Sequence, residues 1–287
     1  MSKTYVIATK HERYRETDFA PGSTVIDPWR YIPDQKGVTV KRIGENKPAL
    51  ISVLVPSRGR PDMLARTIRT AFETATHTRR LEFVVRIDDD DPKEMDYHFK
   101  AKFAALVEVA PLPDMVRVLV GPRVLLSECW NICASHASGE ILMHCGDDIT
   151  FNTPAWDQRV RDEFAKLPDR IGLVFGDDLS TNFPDLATHG FIHRRWVEAV
   201  GYFLPPLFSS DWNDVWISEV AKSIDRMIPM PDVVIEHHHY SFGKAERDQT
   251  HADREERGER DGVVDLFKNT VKERKNDAAK LKKVMAG

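Results

Sequence analysis

Residues 127–149 have the sequence SECWNICASHASGEILMHCGDDI, which predicts a helix, a turn and a buried strand in succession. The helix is expected from Ser127 to Ala137, and Gly139 is expected to end it as a C′ glycine. EILMHC, at 140–145, is a short and mainly apolar run of the kind that forms strands buried on both faces. Such a strand belongs to a parallel sheet covered by helices, so this stretch decides the fold class.

The chain on either side repeats this alternation of buried strand and helix. ISVLV (51–55), LEFVVRI (81–87) and MVRVLVG (115–121) are the preceding strands. Helices are expected between them, over 63–75 and from about 93 to 107. Further strands are predicted at IGLVF (171–175), within THGFIHRRWVEAVG (188–201) and at PDVVIEHHHY (231–240). Alternating strands and helices predict an α/β fold with a mostly parallel central sheet flanked by helices.

The composition excludes several classes of protein. A net charge of −4 over 287 residues and a pI near 6.3 argue against a basic nucleic-acid-binding surface. The N-terminus is charged from the start, unlike a secretory signal, and no apolar run is long enough to span a bilayer. We therefore expect a cytoplasmic protein. The three cysteines, Cys129, Cys133 and Cys145, lack Cys-x-x-Cys spacing and are predicted to be buried and reduced.

Three polar loops follow the predicted strands, at the edge of the sheet where ligands of α/β proteins bind. PSRGRP (56–61) offers two arginines suited to phosphate, although arginines in a loop are more often ordinary surface residues. DDDDP (88–92) concentrates four carboxylates, which either face a ligand or form a turn into a helix. GDD (146–148) offers oxygen ligands to a hard divalent cation, or is a solvated turn.

A run of three histidines ends the last predicted strand. Because side chains alternate along a strand, His237 and His239 are expected on one face and His238 on the other. A zinc site is poorly supported, since no cysteine has suitable spacing. One histidine completing a metal site based on aspartate is the more economical interpretation.

Taken together, these motifs resemble the inverting, family-two-like glycosyltransferases of the GT-A fold. The resemblance spans residues 50–240 and is strongest up to Trp156. It lies in ISVLVPSRGRPDMLARTI, in LEFVVRIDDDDP and in SECWNICASHASGEILMHCGDDI. Gly146 departs from the family, which commonly has an aspartate at this position. The resemblance implies a domain at 50–243, preceded by an extension at 1–49 and followed by a charged helical tail at 244–287.

The resemblance also assigns roles to individual residues. Asp211 is expected to be the catalytic base, with Asp214 as the nearest competitor and helix N-capping as the alternative role of Asp211. The metal, Mn²⁺ or Mg²⁺, is expected on Asp148, His237 and His239. The nucleotide-sugar site is expected to comprise Pro56, Ser57, Arg58, Arg60, Asp88, Asp90, Asn131, Gly146 and Asp147.

The resemblance implies a metal-dependent enzyme that transfers a sugar, with inversion, from a nucleoside diphosphate sugar to an acceptor hydroxyl. A UDP-sugar is the favoured donor. Two alternatives stay open: a sugar nucleotidyltransferase, and a catalytically inactive carbohydrate- or nucleotide-binding protein. The acceptor is not determined. Some bacteriophage members of this broad fold act on modified bases in DNA, so a modified DNA base is one acceptor that the resemblance implies. A phage-encoded enzyme of this kind would act in the host cytoplasm. Trp212 and Trp216, one helical turn apart, are either a stacking face or core residues.

Overall fold

The computed structural model of the chain describes residues 3–9, 11–29, 31–42, 48–94 and 115–287. The chain divides into two compact units, Met1–Pro48 and Ala49–Gly287. The predicted helix over 93–107 lies outside the described residues, apart from its first two positions.

The N-terminal unit contains a small parallel sheet. Its strands, in spatial order, are β1 (Thr4–Val6), β2 (Thr24–Asp27) and β3 (Thr39–Arg42). Ile7, Val25 and Ile32 form its hydrophobic cluster. The buried Asp27 carboxylate accepts backbone N–H groups of Tyr31 and Ile32 at 2.5 and 2.6 Å, and so closes the turn after β2.

The second unit is built on a sheet of eight strands. They are β4 (Ile51–Pro56), β5 (Leu81–Asp88), β6 (Val116–Gly121), β7 (Ile141–His144), β8 (Ile149–Phe151), β9 (Leu173–Asp177), β10 (Gly190–His193) and β11 (Met227–His237). Their spatial order is β6-β5-β4-β7-β10-β9-β11-β8. β10 runs antiparallel to β7 and β9, and β8 runs antiparallel to β11, while the other six strands share one direction.

Eight α-helices accompany these strands in the described part of the unit. They are α1 (Pro61–Thr74), α2 (Leu126–His136), α3 (Trp156–Ala165), α4 (Arg194–Val200), α5 (Asn213–Ser223), α6 (Gln249–Arg260), α7 (Val263–Asn269) and α8 (Val271–Ala286). None of these described helices combines the length and apolar character needed to cross a bilayer.

The sheet is buried on both faces, as the apolar strands predicted. In β4, Val53 and Val55 belong to one hydrophobic cluster, whereas Leu54 between them belongs to the other. The first cluster contains residues of α1 and α3, and the second contains residues of α2, α4, α5, α7 and α8. A strand covered on both sides has no solvated face, which explains the continuous apolar runs. The predicted α/β fold with a mostly parallel central sheet is confirmed.

The role expected for Gly139 is wrong. Helix α2 ends at His136, and its C-cap residue Ala137 is extended, with φ −80° and ψ 143°. Gly139 is not among the glycines with a positive φ. A Cβ on Gly139 would lie 2.2 Å from Ser52 Oγ. Glycine is therefore needed here for the close approach of the chain to β4.

The charged C-terminal segment is part of the folded unit. It forms three helices, α6 to α8, of which α7 contributes Val263 and Phe267 and α8 contributes Ala278 and Leu281 to a hydrophobic cluster. The buried Asp277 carboxylate accepts hydrogen bonds from Tyr202 Oη and, at 3.2 Å, from Trp216 Nε1. The exposed lysines occupy only the outer face of these helices.

Candidate functional site

A cleft opens at the carboxyl edge of the large sheet. Most residues predicted to form the site line it, namely Pro56, Ser57, Arg58, Arg60, Asp88, Gly146, Asp147, Asp148, Asp211, His237 and His239. They come from the ends of β4, β5, β7 and β11 and from the segment before α5. The three polar loops singled out in the sequence therefore meet, as expected for the carboxyl ends of neighbouring parallel strands.

Three ligand-capable side chains converge in this cleft. Asp148, His189 and His237 each offer one ligand atom, and these atoms lie within 4.8 Å of one another. His189 was not predicted from the sequence. It immediately precedes β10, the antiparallel strand between β7 and β9. An antiparallel strand brings its beginning, rather than its end, to the carboxyl edge of its neighbours, and this places His189 beside the GDD turn.

The chemistry of this group fits a divalent cation. His189 Nε2 and His237 Nδ1 are buried and have no hydrogen-bond partner among the described residues. Burial lowers the pKa of His189 well below its usual value, which keeps the imidazole in the neutral form that metal binding requires. A carboxylate with two imidazoles suits Mn²⁺ and related ions.

The same cluster explains the glycine at position 146. A Cβ there would lie 2.7 Å from Asp148 Oδ1 and 3.2 Å from His189 Cε1. The space that an aspartate would occupy is thus taken by two members of the metal-ligand group. His189, the residue before β10, offers a third ligand atom to this group.

Asp147 and Asp148 face different partners. Asp147 accepts hydrogen bonds from Ser57 Oγ at 2.7 Å and from Arg60 Nη1 at 3.2 Å. Burial nevertheless raises the pKa of Asp147. Burial acts in the same direction on Asp148, but its hydrogen bond and charge interaction with His237 lower its pKa overall. Asp148 is therefore the carboxylate that stays ionised and open to a cation.

Arg60 joins the acidic turn to the C-terminal helices. Its Nε and Nη2 donate to the two oxygens of Asp248 at 2.7 and 2.6 Å, while Nη1 lies 3.2 and 3.6 Å from Asp147 and Asp148. Burial disfavours the charged form of the Arg60 guanidinium. The hydrogen bond to Asp248 and the charges of the neighbouring carboxylates nevertheless raise the pKa of Arg60. Asp248 also caps the N-terminus of α6 together with His251.

The loop after β4 is connected to the end of β5. Arg58 Nη1 lies 3.2 Å from Asp88 and 2.5 Å from Asp90. Desolvation raises the pKa of Asp88, despite the opposing charge of Arg58. Asp90 is exposed and does not line the cleft. Of the four consecutive acids, Asp88 is the one whose side chain faces the cleft.

Asp211 and Asp214 also line the cleft, just before α5 and in its first turn. The N-cap position of α5 is Trp212, which has a φ of 77°, so the alternative role of Asp211 as the cap is wrong. Asp211 is half exposed, and its Oδ1 lies 3.5 Å from Arg254 Nη1. Asp214 is more buried, and desolvation, with the charge of Asp211, raises its pKa to about 6.

Two predicted site residues have other surroundings. The Asn131 side chain is fully engaged by the backbone of Phe203 and Leu204, to which it makes three hydrogen bonds, and it does not line the cleft. β11 ends at His237, so the strand alternation used for His239 no longer applies. His239 Nδ1 lies 2.6 Å from Ser241 Oγ, and Nε2 lies 3.3 Å from Arg254 Nη1, outside the ligand group.

The two tryptophans are core residues rather than a stacking face. Trp216 is 1% exposed, and Trp212 packs on Phe267 with ring centroids 4.6 Å apart. Phe267 lies on α7, in the segment that the sequence suggested to be a charged tail.

Sequence reasoning missed four arginines that line the cleft. They are Arg86, Arg123, Arg254 and Arg257. The spacing of Arg254 and Arg257 puts both on one face of α6, a pattern that is visible in the sequence. Without knowledge that α6 returns to the sheet edge, however, this pattern is indistinguishable from a solvated helix face.

Comparison with known proteins bears on the fold. No known protein-family profile and no curated protein matches the sequence. Mannosyltransferase PcManGT from Pyrobaculum calidifontis, solved with GDP-Man and Mn²⁺, superposes with a TM-score of 0.52 at 16% identity, over 67% of this chain and 57% of its own. The chain has a GT-A fold. Residues 1–349 of S. aureus TarS match with a TM-score of 0.48 at 12% identity, over 65% of this chain and 59% of TarS. This GT-A chain thus spans less than two thirds of either protein.

Proposed function

We propose that this chain is a metal-dependent glycosyltransferase that moves a sugar from a nucleoside diphosphate sugar to an acceptor hydroxyl with inversion. The observation that carries the proposal is the convergence of Asp148, His189 and His237 within 4.8 Å, beside two nucleotide-type loops of a GT-A sheet. The presence of GDP-Man and Mn²⁺ in the PcManGT structure supports it.

The nucleotide is assigned to the loops after β4 and β5. Ser57, Arg58 and Asp88 face the cleft there, and a UDP-sugar is the favoured donor. Asp88, whose pKa is raised by desolvation, is suited to accept hydrogen bonds from a base or ribose. Arg60 lies beside the carboxylates of Asp147 and Asp148. Its guanidinium can bind diphosphate oxygens when these compete with the two carboxylates for its N–H groups.

A divalent cation would be held by Asp148, His189 and His237. It would supply charge neutralisation for the departing diphosphate. His189 replaces His239 in the ligand set that the sequence suggested. The neutral His189 and the ionised Asp148 are in the protonation states that this role requires.

Asp211 is proposed as the base on the acceptor side. The acceptor oxygen forms a bond to the anomeric carbon while the bond from that carbon to the diphosphate oxygen breaks, and the hydroxyl proton passes to the carboxylate. The electron pair leaves with the nucleoside diphosphate. Asp214 is a second candidate, because it is more buried and its pKa of about 6 is closer to neutrality.

The test is donor binding and hydrolysis with the full chain. UDP- and GDP-sugars would be screened by calorimetry and by release of nucleoside diphosphate, with Mn²⁺, with Mg²⁺ and with excess chelator. We expect Mn²⁺-dependent binding of one donor and slow hydrolysis. Asp88→Ala should weaken that binding by about tenfold or more, since a lost polar contact in a desolvated site costs about 1–3 kcal/mol.

Each alternative has its own signature in this experiment. Full activity in chelator would contradict the metal proposal. Release of pyrophosphate from a nucleoside triphosphate with a sugar phosphate would indicate a nucleotidyltransferase. Binding of a donor with no hydrolysis and no transfer to any acceptor would indicate a binding protein.

A further inference from the structure

Two arginines separate the main cleft from a second cavity. Arg123, in the segment after β6, and Arg257, on α6, line both spaces. Val124 and Asp253 are likewise shared between them. The arginines come from different elements, so their juxtaposition is a property of the tertiary structure.

This arginine pair lacks close compensation by carboxylates. Arg123 is 3.9 Å from both Asp88 and Asp253, at the outer limit of an ion pair. Within the described ranges, no carboxylate comes within ion-pair distance of Arg257, and its buried Nε has no hydrogen-bond partner. Burial, and then the charge of Arg123, lower the pKa of Arg257. Two neighbouring, partly desolvated guanidinium groups are stabilised by an anion between them.

We propose that Arg123 and Arg257 bind a phosphate group of the acceptor, so that the acceptor is a small phosphorylated alcohol. This inference rests on the proposed transferase function. Guanidinium groups offer forks of N–H donors that match the oxygens of phosphate. The diphosphate of the donor is assigned to the metal group and Arg60, and its nucleoside to Asp88, which lies 3.9 Å from Arg123. The arginine pair therefore borders the donor site and is left for a second anion.

The rest of the second cavity limits the size of this ligand. Val124 and the 38%-exposed Leu125 offer apolar contact, and Glu256 adds negative charge to the lining, whereas Asp261 is paired with Arg260 at 2.8 Å. The Glu256 carboxylate would repel an extended polyanion such as nucleic acid. A single phosphate on a compact alcohol satisfies both the arginines and the surrounding acids.

The test uses inorganic phosphate as the probe and the full chain saturated with UDP and Mn²⁺. We expect the ¹⁵N-Nε resonance of Arg257 to shift saturably as phosphate is added. Arg257→Gln and Arg123→Gln should each weaken phosphate binding at least tenfold. Arg257→Lys, which keeps the charge but loses the fork, provides a second variant if the glutamine variant does not fold. Arg159→Gln, which breaks an exposed pair with Asp232, is the matched control and should change nothing.

Three outcomes would overturn the proposal. Absence of saturable phosphate binding would remove the site, whether or not the protein transfers sugar. Loss of phosphate binding on addition of UDP, with UDP affinity reduced in Arg257→Gln, would assign the arginines to the donor. Phosphate binding by a chain that binds no nucleotide sugar would contradict the proposed function, and with it the role of the phosphate as part of an acceptor.

Discussion

At the residue scale, the proposed metal site depends on one histidine that the sequence did not single out. His189→Ala should weaken Mn²⁺ binding by about tenfold to a hundredfold or more, since even outer partners of metal ligands contribute that much. His239→Ala removes a histidine of the same cleft that lies outside the ligand group, and should leave Mn²⁺ affinity within a few fold. Calorimetric titration of Mn²⁺ into both variants measures the difference, and the reverse order would restore His239 as the ligand.

Turnover measurements distinguish Asp211 from Asp214 as the proposed base. Asp211→Asn should lower turnover by roughly a hundredfold with donor affinity unchanged, since positioned general bases contribute about 10²–10⁴ in rate. The measurement is initial rate at saturating donor, with donor Kd obtained separately. Normal turnover in Asp211→Asn combined with its collapse in Asp214→Asn would transfer the role to Asp214. A product that keeps the anomeric configuration of the donor would exclude the inverting step.

The raised pKa of Asp214 predicts a pH dependence of stability. Its pKa in the folded state is about 6, above the ordinary value of 3.8. Ionisation of this carboxyl therefore lowers the free energy of unfolding as the pH rises through this interval. Near pH 3 and below, the carboxyl is protonated in both states and the destabilisation vanishes. Asp214→Asn should therefore stabilise the protein at pH 7 by about 1–2 kcal/mol, a value reduced for partial exposure, and by nothing near pH 3. Denaturant unfolding at both values checks this, and an equal difference at the two values would refute it.

At the scale of elements, helix α6 is held against the loop after β4 by directional contacts. Thr250 Oγ1 donates to Arg58 O at 3.0 Å, and Asp248 pairs with Arg60 while it caps the helix. α6 therefore joins the loop after β4 to the part of the cleft that its own Arg254 and Arg257 line. Its position decides whether those arginines reach the cleft.

Removal of the Arg60–Asp248 pair should loosen α6 selectively. Asp248→Ala loses both the ion pair and the N-cap, and should speed amide hydrogen exchange over 249–260 and cost about 1–3 kcal/mol. Asp248→Asn retains the capping oxygen and isolates the effect of the charge. Asp232→Ala, which breaks the exposed pair with Arg159, is the control and should cost no more than about 0.5 kcal/mol. Uniform protection of α6 in Asp248→Ala would show that packing alone holds the helix.

At the scale of the whole molecule, the two ends of the chain differ in what they contribute to the main core. The N-terminal unit has its own cluster of Ile7, Val25 and Ile32. By contrast, Ala278 and Leu281 of α8 belong to the same cluster as Trp216 on α5. All residues of the candidate site lie in the second unit.

Truncation at either end should therefore give opposite results. The fragment 49–287 is expected to unfold cooperatively and to bind Mn²⁺ with the affinity of the full chain. Removal of 271–287 should prevent stable folding, because Leu281→Ala alone is expected to cost about 2–4 kcal/mol. Circular dichroism during thermal unfolding and Mn²⁺ titration measure both. A stable chain lacking α8 would contradict the assignment of this helix to the core.

The α/β fold and the carboxyl-edge position of the three polar loops were determined by the sequence itself. Strands buried on both faces must be continuously apolar, and this local pattern is visible at 51–55, 81–87 and 140–145 without any coordinates. The cleft residues at the ends of those strands follow, because neighbouring parallel strands end at one edge. The loops that contain Asp88 and Asp148 were found in this way, whereas His237 came from the run of histidines that ends a later predicted strand.

Only the tertiary structure decided the direction of β10 and the return of the C-terminal helices. A strand of four residues carries no sign of its direction in its own sequence, yet the antiparallel course of β10 brings His189 to Asp148. Likewise, the spacing of charges on α6 is the same for a solvated helix as for one whose arginines line a cleft. Both features arise from contacts between residues far apart in the chain, and such contacts leave no periodic mark on the sequence.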